Sequence, residues 1–180
     1  EAFVLDLSDG SLILAEKKYE VNGEKCFYFS ELFLECRAPL SQKSKLDIVT
    51  RAVDQVAKKY YGDEDAQKKM EIKDIICNEL EEQGEIKVSE LREKVFPGSP
   101  EMLEELDEKL DRYNLSYETV APKNEQTIKK FQKQKLYTDT GIEITIPMEE
   151  YRNPDHVEFI TNMDGTISVL IKNIGMLSSK

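Results

Sequence analysis

The sequence predicts an α+β fold: an N-terminal β-meander, a central helical subdomain with a weak winged-helix likeness, and C-terminal antiparallel β-hairpins. Three observations predict it. Apolar residues between Leu46 and Leu110 recur at helical spacing. Short apolar runs near the N-terminus are separated by Gly- and Asn-containing turns. The segment from Phe131 to Ile174 reads as two hairpins whose turns fix their own pairing. The expected layout is a meander over 1–40, helices over 41–112 and a sheet over 113–180. Together they are expected to form one compact unit cut from a longer protein, with the C-terminal sheet against the first strands.

The meander uses Phe3–Leu7, a turn at Ser8-Asp9-Gly10-Ser11, and a return from Leu12. Asn22-Gly23 then turns the chain into a third strand, Lys25 to Phe29. Leu32-Phe33-Leu34 is a short apolar run that fits strand or helix equally, and the segment ends at Cys36.

Ser41 is the expected N-cap of a helix over about 42–61, with Leu46, Val49, Val53, Val56 and Tyr60 on one face and Gly62 as its stop. Asp63 and Asp65 cap the next helix, whose stripe is Met70, Ile72, Ile76, Cys77 and Leu80, ending at Gly84. Ile86 and Val88 make a brief extended piece. Ser89 caps a short helix carrying Leu91 and Val95, which Phe96-Pro97-Gly98-Ser99-Pro100 breaks. Ser99 caps a further helix with Pro100 at its first position and Met102, Leu103, Leu106 and Leu110 inward. Leu115 to Val120 suggests a strand, 122–126 a connector, and 127–131 a helical turn.

In the first hairpin a three-residue turn at Asp139-Thr140-Gly141 aligns Leu136 and Thr138 with Ile142, Ile144 and Ile146. Lys133, Lys135 and Tyr137 then lie on the other face. Met148–Tyr151 is a turn or a single helical turn. In the second hairpin, Asn162-Met163-Asp164-Gly165 suits a type I turn with a glycine bulge. That pairs Thr161 with Ile167, Phe159 with Val169 and Val157 with Ile171, which keeps the apolar partners on one face. A two-residue loop would set Glu158 opposite Ile171.

The 180 residues are 34% charged and 39% apolar, ordinary for a soluble domain, and no apolar run approaches the roughly 20 residues of a membrane span. The chain opens on Glu1 with no basic-then-apolar leader, which fits an excised fragment. Cys26, Cys36 and Cys77 are odd in number and widely spaced, which suits a reduced cytoplasmic protein. The net charge of −11 speaks against a general polyanion binder. The charge is uneven, however: 63–112 carries 17 acids against 8 bases, and 123–137 carries five lysines against one glutamate.

That basic run supplies the candidate site. Lys129, Lys130, Lys133 and Lys135, interleaved with Phe131 and Tyr137, can follow a nucleic-acid backbone, with Tyr137 as a stacking face. The plainer alternative is a solvated strand face. The acidic helix after Ser99 would be repelled by phosphates and is a poor recognition helix. The carboxylate runs lack the spacing of a calcium loop, and the one histidine, His156, has no second ligand for zinc and no recognisable nucleophile or orienting acid. Glycine-rich phosphate loops are absent. Neither catalytic residue, metal nor cofactor is predicted.

Two stretches carry a resemblance: Phe131 to Pro147 (FQKQKLYTDTGIEITIP) and Val157 to Ile174 (VEFITNMDGTISVLIKNI). Earlier pieces share it, Phe27 to Cys36 and Gly84 to Leu91. They resemble the C-terminal region of the bacterial nucleoid-associated protein family of the YejK/NdpA type, over the whole chain and most specifically over its last fifty residues. The resemblance implies a non-enzymatic protein of the cytoplasm and nucleoid. It implies association with DNA, directly or through another protein, and with the DNA topology machinery such as topoisomerases. It transfers no catalytic motif and no residue-level DNA contact. A different class of function remains open: an interaction or dimerisation module whose acidic helices meet a basic protein, with a second copy of the chain among its partners.

Overall fold

The computed structural model describes residues 2–8, 10, 12–21, 23–35, 39–62 and 65–178, with backbone only at Ile13 and Glu24. The architecture is α+β, and the chain divides into two compact units, 1–41 and 42–180.

In the first unit the predicted strands form two separate hairpins rather than one meander. β1 (Ala2–Leu5) pairs with β2 (Leu12–Ala15), and β3 (Lys18–Val21) pairs with β4 (Glu24–Phe27). Glu16 and Lys17 interrupt the strand that would have joined them. Glu16 instead accepts the Ser30 backbone N–H at 3.1 Å. The ambiguous apolar run resolves into a π-helical turn, Tyr28–Phe33, closed by the Leu34 N–H on the Phe29 carbonyl at 2.9 Å. Its Phe29 ring stacks between Phe3 and Phe33, with centroids 5.2 and 5.6 Å away. The turns expected at Asp9, Ser11 and Asn22, and Cys36, lie outside the described residues.

The second unit holds the core. Helix α1 (Gln42–Tyr61) buries Leu46, Val49, Ala52, Val53, Val56 and Ala57. Tyr60, expected on this face, is exposed at the helix end instead, while Ala52 and Ala57 widen the stripe. Gly62 takes a φ of +84°, and its N–H closes on the Lys58 carbonyl at 3.0 Å. Helix α2 (Ala66–Glu82) buries Met70, Ile72, Ile76, Cys77 and Leu80. Asp65 caps it by accepting the Lys68 N–H at 2.9 Å, and Asp63 lies outside the described residues. Replacing Asp65 with Ala orphans that donor, so urea unfolding of this variant should show a loss of about 1 kcal/mol.

β5 is Ile86–Lys87, and helix α3 (Val88–Val95) follows without a break. The helix therefore begins before Ser89, which is not its cap. The Val88 N–H is satisfied by the Glu118 carbonyl at 3.1 Å, so no hydroxyl is needed there. Helix α4 (Pro100–Asp111) has Ser99 at its N-cap position as expected, but the Ser99 side chain makes no cap hydrogen bond. The expected strand over 115–120 shortens to β6 (Thr119–Val120), paired antiparallel with β5. Leu115 is buried, and the Glu118 N–H turns back onto its carbonyl at 3.1 Å.

Helix α5 (Glu125–Lys129) begins earlier than expected because Asn124 accepts the Gln126 N–H at 2.8 Å. Then come β7 (Lys133–Tyr137), β8 (Glu143–Pro147), the single turn α6 (Met148–Tyr151), β9 (Val157–Thr161) and β10 (Ile167–Ile171). Both hairpins adopt the expected registers. Leu136 faces Ile144 and Gln134 faces Ile146; Phe159 faces Val169 and Val157 faces Ile171. Gly165 has a φ of +83°, and Asp164 holds the turn by accepting the Thr166 N–H at 3.0 Å and its hydroxyl at 2.7 Å. The shared apolar face of β9–β10 is only partly covered: Val157 is buried, Phe159 leans on Tyr151 at 5.9 Å, and Ile167 and Ile171 are about half exposed.

Candidate nucleic-acid interface

Strand β7 owes its two-sidedness to period-two alternation. Gln134 points inward, 3% exposed, and its Nε2 donates to the Met70 carbonyl of α2 at 3.0 Å. Leu136 is half-buried beside it. Lys133, Lys135 and Tyr137 project outward, and Tyr137 is 66% exposed. One segment upstream, Thr127 is buried and Phe131 packs on the core. Lys129 and Lys130 are left in solvent. All five residues singled out from the sequence are therefore exposed on one continuous run of chain. Lys129 shares its charge with Glu125 at 3.3 Å, a loose pair in solvent.

Packing β7 along α2 adds a residue that sequence reading missed. Lys73 reaches across from α2, and its Nζ donates to the Lys133 carbonyl at 2.5 Å. Burial lowers the Lys73 pKa from its ordinary value; the neighbouring Lys135 charge pushes the same way, while Cys77 and Asp54 act in the opposite sense. The signal was present as Lys69 and Lys73, four residues apart on one helix face.

The flank of the strip is acidic but neutralised. Arg152, just after α6, donates to Asp74 at 2.6 Å and to Glu81 at 2.9 Å, which ties α6 to α2. Gln132 donates to the same Glu81 at 3.3 Å. The Arg152 hydrogen bond holds the Glu81 carboxyl below its ordinary value of 4.5, against a smaller opposing effect of burial. A carboxyl depressed in the folded state contributes stability that is complete above the unfolded pKa and vanishes as pH falls through the folded one. Arg152→Ala should cost about 1 kcal/mol at neutral pH, as exposed pairs do. The gap from the parent chain should close as urea unfolding is repeated below pH 4.5. A gap independent of pH would refute the assignment.

The other chemical candidates fare differently. Helix α4 stays acidic: Glu101, Glu104 and Glu108 are exposed, Glu105 pairs with Lys59 of α1 at 2.5 Å, and Asp107 pairs with Arg92 of α3. Cys77 is buried, with its thiol pushed up to about 11, chiefly by burial, so it is not a reactive thiolate. His156 does have an acid partner, which the sequence did not reveal: its Nδ1 pairs with Glu150. Both side chains are more than two-fifths exposed, on the wall of an open groove of about 330 Å³ lined by Ile146, Val157, Ile171 and Ile174. Among the described residues no three His, Cys, Asp or Glu side chains gather as metal ligands, and no helix is long and apolar enough to cross a membrane.

No curated protein and no solved structure matches the chain. The family model described as "Nucleoid-associated protein YejK" matches residues 6–176. That span takes in both units, the acidic helices and the lysine strip together, and the chain belongs to the YejK family of nucleoid-associated proteins.

Proposed function

We propose that this chain is a non-enzymatic protein of the nucleoid that associates with DNA and with the DNA topology machinery, and that Lys129, Lys130, Lys133 and Lys135 meet backbone phosphates without reading bases. One observation carries the reading. In a chain of net charge −11, four lysines stand exposed on the α5–β7 run while the alternate residues anchor it to the core. Phosphate contacts position a protein without specifying sequence, and a row of ammonium groups on a strand suits that role. Tyr137 adds an exposed ring for an unpaired base. The test is binding of a labelled duplex across a salt series. Affinity that falls steeply with salt supports direct contact. No binding at low salt refutes it and places any DNA association in a partner.

A second reading rests on α4. Glu101, Glu104 and Glu108 form an exposed acidic row, suited to a basic protein surface. Residues 63–112 supply much of the core, so charge reversal is the right probe rather than deletion. Changing all three to Lys should abolish capture of a basic partner such as a topoisomerase. Light scattering on the same proteins reports whether a second copy is the partner.

A further inference from the structure

We propose that Lys73 of α2, tethered to the Lys133 backbone carbonyl of β7, is a fifth phosphate-contacting lysine alongside the strip. This rests on the reading that the Lys129–Lys135 run meets a nucleic-acid backbone. The geometry is the first support. The Lys73 ammonium is fixed by its hydrogen bond to the Lys133 carbonyl, so it is not a freely waving surface lysine. An ammonium has three N–H donors, and that bond uses one, leaving two for a phosphate oxygen.

The charge environment is the second support. Lys73 is half-buried and faces Lys135 from β7, with Asp54 of α1 and Cys77 of its own helix near it. Lys69 lies one turn earlier and faces the same Asp54. Asp54 thus lies near both Lys69 and Lys73, and Lys135 brings a further positive charge to Lys73. Holding the strand to the helix needs only a neutral donor, which Gln134 already supplies at Met70. Burial first, and the Lys135 charge after it, disfavour the Lys73 cation in the free protein, and an arriving anion offsets both. Pre-fixing that cation also removes the ordering cost that mobile surface lysines incur on binding.

The experiment measures duplex affinity against salt for the intact chain, Lys73→Gln, Lys73→Arg and the variant with Lys129, Lys130, Lys133 and Lys135 all changed to Ala. Urea midpoints are measured in parallel. Lys73→Gln should make the log–log salt slope shallower by about 0.9, with affinity near 0.1 M salt down about tenfold. Lys73→Arg should restore both. In the intact chain, amine acylation read by mass spectrometry should show DNA protecting Lys73 as strongly as Lys135, a readout that needs no variant to fold. A normal slope in Lys73→Gln, or Lys73 labelling unchanged by DNA while Lys133 and Lys135 are protected, overturns the inference and leaves the strip standing. An intact chain that does not bind, or a quadruple variant that binds with an unchanged slope, overturns both.

Discussion

Replacing Phe96 with Ala should destabilise the 42–180 unit by about 3–5 kcal/mol, the range for truncating a fully buried aromatic. Phe96 is the largest of the fully buried side chains, with no solvent exposure, and it belongs to the same cluster as Leu46, Leu91, Leu106 and Leu110. Its position explains the size of the effect. It follows α3 directly, and the chain then turns through Pro97 and Gly98, the latter at a φ of +69°, into α4. One ring therefore sits in the core at the junction between two helices. Collapse around the cavity would require α3 and α4 to shift, which their other core residues resist. Urea denaturation followed by far-UV circular dichroism measures it, with Tyr113→Ala, on an exposed side chain, as the control near zero. A loss under about 1 kcal/mol for Phe96→Ala would mean that this packing is not what holds the unit together.

Phe96 also shows where sequence reading stops. The run Phe96-Pro97-Gly98-Ser99-Pro100 reads correctly as a helix break, yet nothing in a breaker says that its first residue is the deepest in the core. The helical stripes of α1, α2 and α4 were legible because one face of each is buried along its length, so burial and periodicity carry the same information. Both C-terminal hairpins were legible because turn chemistry and apolar pairing agree on one register. The start of α3 was not, because its cap is a carbonyl thirty residues away. The π-helical turn was not, because a short apolar run carries no period.

The site divides the same way. Which lysines of β7 face solvent follows from alternation alone. That Lys73 reaches the same strand depends on β7 lying along α2, a contact made by Gln134 that no local pattern announces. The acidic excess of 63–112 is likewise only partly available to a partner. Glu79 is spent on Lys94 at 2.5 Å, Glu105 on Lys59, and Asp107 on Arg92. Such pairs contribute little stability each, but they lower the field that a DNA strand would meet.

Changing Lys129, Lys130, Lys133 and Lys135 together to Ala should flatten the salt dependence of DNA binding, lowering the log–log slope by about 3–4 if each lysine neutralises one phosphate. The fold should survive. All four side chains are exposed, and the segment is anchored by Thr127, Gln134 and the half-buried Leu136, which the variant keeps. Lys129 should account for the smallest share, since Glu125 already balances part of its charge. The measurement separates a local from a global electrostatic account. If the net charge of −11 governed, removing four positive charges would weaken an already poor binder without changing how many counterions it releases. If the strip governs, the slope itself drops, because the slope counts released counterions and not overall repulsion. Circular dichroism and urea midpoints equal to those of the parent confirm that only charge was removed. An unchanged slope in a folded quadruple variant would mean that the strip is a solvated strand face, and would leave the acidic row of α4 as the surface through which this protein meets the nucleoid.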